Sequence, residues 1–314
     1  MSDPAIAATG ALGRQRPAVA SGATRGLGRR TLTWIVLVVA ILGLWEAFKW
    51  VGGVPWRFQN VLGTELDILH NPPFRWPFVN DLNLPHWFSI LAALAAPVQR
   101  SSEESLAQYL VGAAFYTWRE AAIGFVVGAL LGVVLATIFV HSRLLERAFV
   151  PYVVASQTIP IVALAPMIVF AFGPTVTSVV IIATYLTFFP VTIAAIRGLR
   201  SPDPRALELM RSYAASGWQV FRSVRLPASL PYLFTALKIA ATASIVGAII
   251  GEGPGGIPDG LGRVIINFNQ YYITGPEKLW AAILVSAMLG VAFFLLIRMV
   301  EAIALRGRQA TAAR

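Results

Sequence analysis

The sequence predicts an all-α, polytopic membrane protein with about six transmembrane helices, on three observations. The first is composition. Hydrophobic residues make up 57% of the chain and charged ones only 13%, against about a quarter charged in soluble domains, and mean hydropathy is +0.68. The second is a set of six apolar runs, at 31–51, 113–140, 149–172, 176–196, 231–250 and 279–300. Each approaches the ~20 residues that a helix needs to cross a bilayer. The third is the placing of charge. With the N-terminus inside, the cytoplasmic connections carry 17 lysines and arginines and the outer ones 5, the asymmetry that orients membrane proteins. Both termini are therefore expected in the cytoplasm. The net charge of +10 then reads as topology, and nucleic-acid binding is excluded as its explanation.

Taken in order, residues 1–30 are small, polar and dotted with arginine, as expected of a disordered cytoplasmic tail. Arg29-Arg30 before an apolar run resembles a secretion signal. Trp45, Glu46, Lys49 and Trp50 stand where a cleavage site needs small residues, so 31–51 is expected to be a retained first helix. Residues 52–108 are rich in proline and tryptophan and lack a long apolar run, which suits an outer interfacial loop with a short helix near 84–96. That loop either packs on lipid headgroups or meets a substrate-delivery protein. A core domain, 109–300, and a cytoplasmic tail, 301–314, follow.

In the second span, Gly124, Gly128 and Gly132 recur every four residues and Ala136 extends the row. Such a stripe lets helix backbones approach closely. It is expected to serve packing within the subunit, with a dimer interface as the alternative. The fifth span repeats the device with Ala240, Ser244, Gly247 and Gly251. The third and fourth spans hold Ser156, Gln157, Thr158, Pro160 and Pro166, then Thr184, Tyr185, Thr187 and Pro190. Proline frees a backbone carbonyl, which hydroxyl and amide groups can satisfy. These side chains either do that or, at Ser156 and Gln157, line a translocation pathway. A glycine- and proline-rich turn at 251–260 follows the fifth span. Its Glu252 is expected to pair with Arg263, with capping of a short helix or contact with ligand as alternatives.

The loop between the fourth and fifth spans, 197–230, is patterned beyond a connector. Six arginines (Arg197, Arg200, Arg205, Arg211, Arg222 and Arg225) place it in the cytoplasm. Asp203-Pro204 is a helix start, an N-cap acceptor followed by proline at the first helical position. Leu207, Met210 and Ala214 then share one face, with Glu208 between Arg205 and Arg211 on another. Gly217 permits a turn, and Trp218, Phe221 and Val224 begin a second apolar stripe that Pro227 is expected to stop.

This loop resembles the signature of the membrane subunits of bacterial ABC importers, E-A-A-x-x-x-G, nine residues, then I-x-L-P. Aligned on Leu226-Pro227, Glu208 takes the Glu position and Val224 the Ile position, while Leu209, Met210 and Ala214 depart from the two alanines and the glycine. Over residues 109–298 the chain resembles the nitrate/taurine/sulfonate-type permeases. WREAAIGF, LLERAFVPYVVASQTIPIVALAPM and LTFFPVT look closest to the riboflavin and thiamin-pyrimidine-precursor branch.

The resemblance implies the transmembrane domain of a type I ABC importer in the bacterial inner membrane. It implies a separate ATPase subunit docked on Glu208, Arg211, Ala214, Gly217, Leu226 and Pro227. It further implies an extracytoplasmic binding protein, a permease homodimer surrounded by lipid, and no cofactor. Ser156, Gln157 and Glu252 are the candidate pathway residues.

The residues alone speak against catalysis. None of the three lysines, Lys49, Lys238 and Lys278, follows a glycine, so no phosphate-binding P-loop exists in this chain. The histidines His70, His86 and His141 are scattered, and cysteine is absent. No metal-ligand spacing is present. The alternative class is an autonomous channel or secondary carrier. A carrier would bury carboxylates inside spans, and only Glu46 and Glu120 come near that.

Overall fold

A computed structural model describes residues 22–58, 68–99, 103–253, 257 and 259–312. Of the expected tail 1–30, residues 1–21 lie outside these, as do 254–256 and 258 of the turn after the fifth span. Two compact units result, Met1–Asn80 and Asp81–Arg314.

The first unit holds α1 (Gly22–Val51) and a short antiparallel ribbon of β1 (Trp56–Phe58) and β2 (Ile68–His70), in which Trp56 pairs with His70. His70 stacks on Trp50 at 4.1 Å between ring centroids, and its Nε2 lies 2.9 Å from the Trp50 carbonyl. Phe74, Trp76 and Phe78 form a nearly parallel aromatic row.

The second unit contains α2 (Trp87–Ala95), α3 (Leu106–His141), α4 (Arg143–Ser156), α5 (Ile161–Phe172) and α6 (Val176–Leu199). Then come α7 (Pro204–Ser212), α8 (Gly217–Val220), a π-helical turn (Phe221–Arg225), α9 (Leu226–Glu252), α10 (Leu261–Gln270) and α11 (Pro276–Ala312). Among the described residues, five helical stretches are long and apolar enough to cross a membrane, and the count is six where the bent pair α4–α5 is taken as one span. This agrees with the expected count of about six, and a short helix, α2, forms within the stretch 84–96 where one is expected.

Helix α6 lies between α3 and α9, and small residues bring the three together. A Cβ built on Gly128 would stand 2.6 Å from Thr187 Cβ and 2.8 Å from the Thr184 carbonyl oxygen. One on Gly132 would stand 2.9 Å from the Phe188 carbonyl oxygen. From the other side, a Cβ on Gly247 would reach Ala183 Cα at 2.9 Å. The glycine stripe therefore serves packing within the subunit. It continues toward the N-terminus of α3 as Thr117, Glu120 and Ala121, all fully buried.

Around this contact Phe125, Phe139, Val179, Val191 and Ile245 close the core, and α11 lies against α9. Lys238 on α9 meets Glu301 on α11 at 2.7 Å, so neither charge is left unpaired. A second cluster, Ile90, Leu106, Leu110, Leu261 and Val264, joins α2, α3 and α10. Toward the surface, Met167 and Phe170 of α5 are 67% and 93% exposed, as expected of faces that meet lipid or another subunit.

Candidate functional site

The loop after α6 folds as a pair of capped helices. Asp203 Oδ1 accepts from Arg205 N–H at 2.9 Å, and Pro204 opens α7, as its sequence predicts. Glu208, Arg205 and Arg211 are exposed, and no ion pair joins Glu208 to either arginine among the described residues. Beside them Leu209, Tyr213 and Trp218 are 56%, 76% and 66% exposed. The surface thus combines one carboxylate, two guanidinium groups and three large uncovered side chains, a mixture suited to a protein partner.

Helix α7 ends in a Schellman motif. Ala215 N–H donates to the Met210 carbonyl at 3.0 Å and Ala214 N–H to the Arg211 carbonyl at 2.9 Å. The residue between these bonds must adopt a left-handed conformation, and Ala214 does so, with φ of +53°. This is where the importer signature has its glycine. The turn expected at Gly217 therefore lies three residues earlier. Gly217 instead begins α8, which is held by a reciprocal cap between Ser216 and Gln219. Ala214→Gly is expected to stabilise the protein by about 0.5–1 kcal/mol, since removing the Cβ relieves the left-handed strain and only part of that gain is lost to unfolded-chain entropy. The check is a melting temperature raised by about 2 °C at unchanged uptake; a lowered one would contradict the left-handed turn.

The expectation that Pro227 stops the second stripe fails. Helical structure runs unbroken over Gly217–Glu252. The π-helical turn accounts for this, with Leu226 N–H donating to the Phe221 carbonyl five residues back. The wider turn makes room for a proline ring that would otherwise strike the carbonyl four residues before it. Leu226 and Pro227 are half-buried at the start of α9.

The third predicted span, 149–172, is two helices: α4 and α5 meet at a 98° bend over Gln157–Pro160. Pro160 removes a donor and disfavours helical backbone in the residue before it. The backbone freed at the bend is satisfied locally. Ser156 Oγ donates to the Val153 carbonyl at 2.8 Å and Thr158 Oγ1 to the Ala155 carbonyl at 2.7 Å. The Tyr185 hydroxyl, from α6, donates to the Ser156 carbonyl. Gln157 has no part in this, and its buried Nε2 has no hydrogen-bond partner among the described residues. Of the two polar residues singled out, Ser156 answers to the kink and Gln157 does not.

Glu252 is the last residue of α9 and is fully buried. Its Oε2 accepts from Gly262 N–H at 2.7 Å, at the first turn of α10, and no bond to Arg263 forms. Capping thus replaces the expected ion pair, because a helix N-terminus supplies N–H donors in fixed positions. Gly260, with φ of +101°, turns the chain into that helix against the Glu252 carboxylate. Thr117 Oγ1 accepts from Leu261 N–H at 2.8 Å, and Glu120, fully buried, lies beside Glu252. The sequence marks Glu120 as one of two carboxylates that come near the inside of a span, and gives Thr117 no such mark. Glu120 stands four residues before Gly124 and Gly128 follows four later, and Thr117 lies one turn before Glu120, a helical spacing that places Thr117 and Glu120 both on the packed face of α3.

These helices and their patterned loop are those of a polytopic membrane protein, and comparison with known proteins gives its class. The profile of the binding-protein-dependent transport system inner membrane components matches residues 128–305, and the chain belongs to this family of ABC importer permeases. It is 36% identical over 191 residues to the formylaminopyrimidine transport permease ThiX of Halalkalibacterium halodurans, covering 60% of this chain and 74% of that protein. It is 38% identical over 125 residues to the riboflavin transport system permease RibX of Chloroflexus aurantiacus, covering 40% and 46%. A putative aliphatic sulfonates transport permease, SsuC of Bacillus subtilis, is 28% identical over 171 residues, covering 54% and 61%. A crystal structure of an amino acid ABC transporter superimposes with a TM-score of 0.50 at 17% identity, over 62% of this chain and 94% of that one, and shares the fold. In this family the permease does not hydrolyse ATP; a separate ATPase subunit does.

Proposed function

We propose that the chain forms the pathway for a small nitrogen-rich heteroaromatic solute, of the formylaminopyrimidine or riboflavin kind, and couples its passage to an ATPase docked on α7–α8. The observation that carries the coupling part is the uncovered surface of Glu208, Leu209, Tyr213 and Trp218 on a firmly capped loop. For the solute, the names of the more similar relatives supply the class. At the α4–α5 bend Gln157 Nε2, without a partner among the described residues, offers a donor suited to ring nitrogens and carbonyls. An extracytoplasmic binding protein would deliver the solute, and two copies of the chain would enclose the path in the bacterial inner membrane, with the α7–α8 loop and both termini cytoplasmic.

Gln157→Leu tests the pathway. Since the bend is satisfied by other groups, the variant should keep its melting temperature while uptake per assembled complex falls about tenfold, as for loss of one hydrogen bond of 1–1.5 kcal/mol to the passing solute. Reduced stability with uptake falling in proportion would return Gln157 to a structural role. Full uptake at full stability would remove it from the path. Radiolabelled riboflavin and formylaminopyrimidine, offered to vesicles holding the chain with its ATPase and binding protein, decide between the two solutes. Uptake of neither would overturn the proposed class.

Orientation has its own test. The chain lacks cysteine, so Ser212→Cys, at an exposed site on α7, should react with an impermeant maleimide only after cells are opened. Labelling in intact cells would reverse the topology.

A further inference from the structure

Close to the α7–α8 loop, a groove of about 760 Å³ opens between the start of α4, the end of α6 and the π-helical turn. Four arginines line it. Arg143 and Arg147 stand one turn apart on α4, Arg200 ends α6, and Arg225 closes the π-helical turn. The single carboxylate among them, Glu146, is engaged by Arg200. Arg143, Arg147 and Arg225 have no carboxylate partner among the described residues. Three uncompensated guanidinium groups around one concavity repel each other and raise the local potential for an anion.

The remaining wall is apolar. Val140 and Leu199 come from the ends of α3 and α6, Val150 and Pro151 from the middle of α4, and Leu207 alone from α7. A soluble phosphate would use only the arginines. An acidic protein surface would find few wall residues on the exposed loop. A phospholipid uses both halves, its phosphate oxygens on guanidinium forks and its glycerol and first acyl carbons on Val140, Val150 and Pro151.

We propose that this groove binds the phosphate headgroup of an anionic phospholipid of the cytoplasmic leaflet. The leaflet rests on the orientation proposed above. A headgroup there would join α4, α6 and the start of α9 behind Leu207, so the footing of the α7–α8 loop would depend on membrane lipid.

The test is native mass spectrometry of the full chain in detergent, titrated with dioleoylphosphatidylglycerol or with dioleoylphosphatidylcholine. The wild type should retain the anionic lipid preferentially. Arg143→Gln/Arg147→Gln/Arg225→Gln should lose about a hundredfold in apparent affinity for it, and Arg147→Gln alone about fivefold. Arg205→Gln/Arg211→Gln, outside the groove, should lose nothing. If the triple variant fails to fold, the single variant carries the test. Unchanged retention in the groove variants, or an equal loss in the loop variant, overturns the proposal. If inorganic pyrophosphate displaces the lipid and raises the melting temperature as much, the groove is a soluble-phosphate site and the lipid assignment fails. Orientation plays no part in detergent, so this result and the labelling at Ser212 succeed or fail separately.

Discussion

Glu208→Lys is expected to abolish solute uptake while the chain still inserts and accumulates normally. Glu208 is exposed on α7 and makes no ion pair among the described residues, so its replacement disturbs no internal contact. On the docked surface the change puts a third positive charge beside Arg205 and Arg211. An acidic residue that contributes to docking faces basic or donor groups on the partner, and charge reversal turns that attraction into repulsion. ATPase association should weaken on the order of tenfold to a hundredfold, and more steeply at low salt than at high salt. Copurification of the ATPase with the variant, read beside uptake at matched expression, provides the measurement. Full uptake would remove Glu208 from the docking surface.

Gly128→Leu should act at the opposite level and prevent the fold itself. At Gly128 even a Cβ would lie 2.6 Å from Thr187 Cβ and 2.8 Å from the Thr184 carbonyl oxygen. Neither can move without separating α3 from α6. Overpacking of ordinary cores costs about 1–3 kcal/mol, and against backbone the cost should be about 3 kcal/mol or more. The expected result is little protein surviving extraction, in aggregated form. Gly112→Leu, on the same helix but with nothing within 4 Å of its Cβ, is the control and should be recovered like the wild type. Equal recovery of both variants would mean that the α3–α6 approach is looser than described.

Much of the site was legible because some of its signals are local. Asp203-Pro204 starts a helix wherever it occurs at a helix boundary, and it does so here. The glycine row of α3 could be read as a packing stripe, though only its neighbour α6 shows which helix it meets. Other features could not be read from neighbours along the chain. The left-handed residue is Ala214 because the Schellman bonds demand it there, although a glycine stands three residues later and is the cheaper residue for that conformation. Pro227 does not end a helix because the π-helical turn absorbs the clash. Glu252 caps α10 because the backbone folds back onto it, which outweighs a charge partner eleven residues on.

The sequence by itself determined the apolar spans and the basic loop, since hydropathy and charge act residue by residue against the bilayer and need no partner, and its resemblance to a known signature supplied the class of protein. Only the tertiary structure decided that 149–172 is bent into two helices, that Ser156 serves the bend while Gln157 Nε2 finds no partner among the described residues, and that Thr117, Glu120 and Glu252 lie together. Hydrogen bonds and close contacts are pair properties. Inside a membrane the backbone's polar groups must be satisfied within the protein, so the role of a hydroxyl or carboxylate depends on what the fold places opposite it.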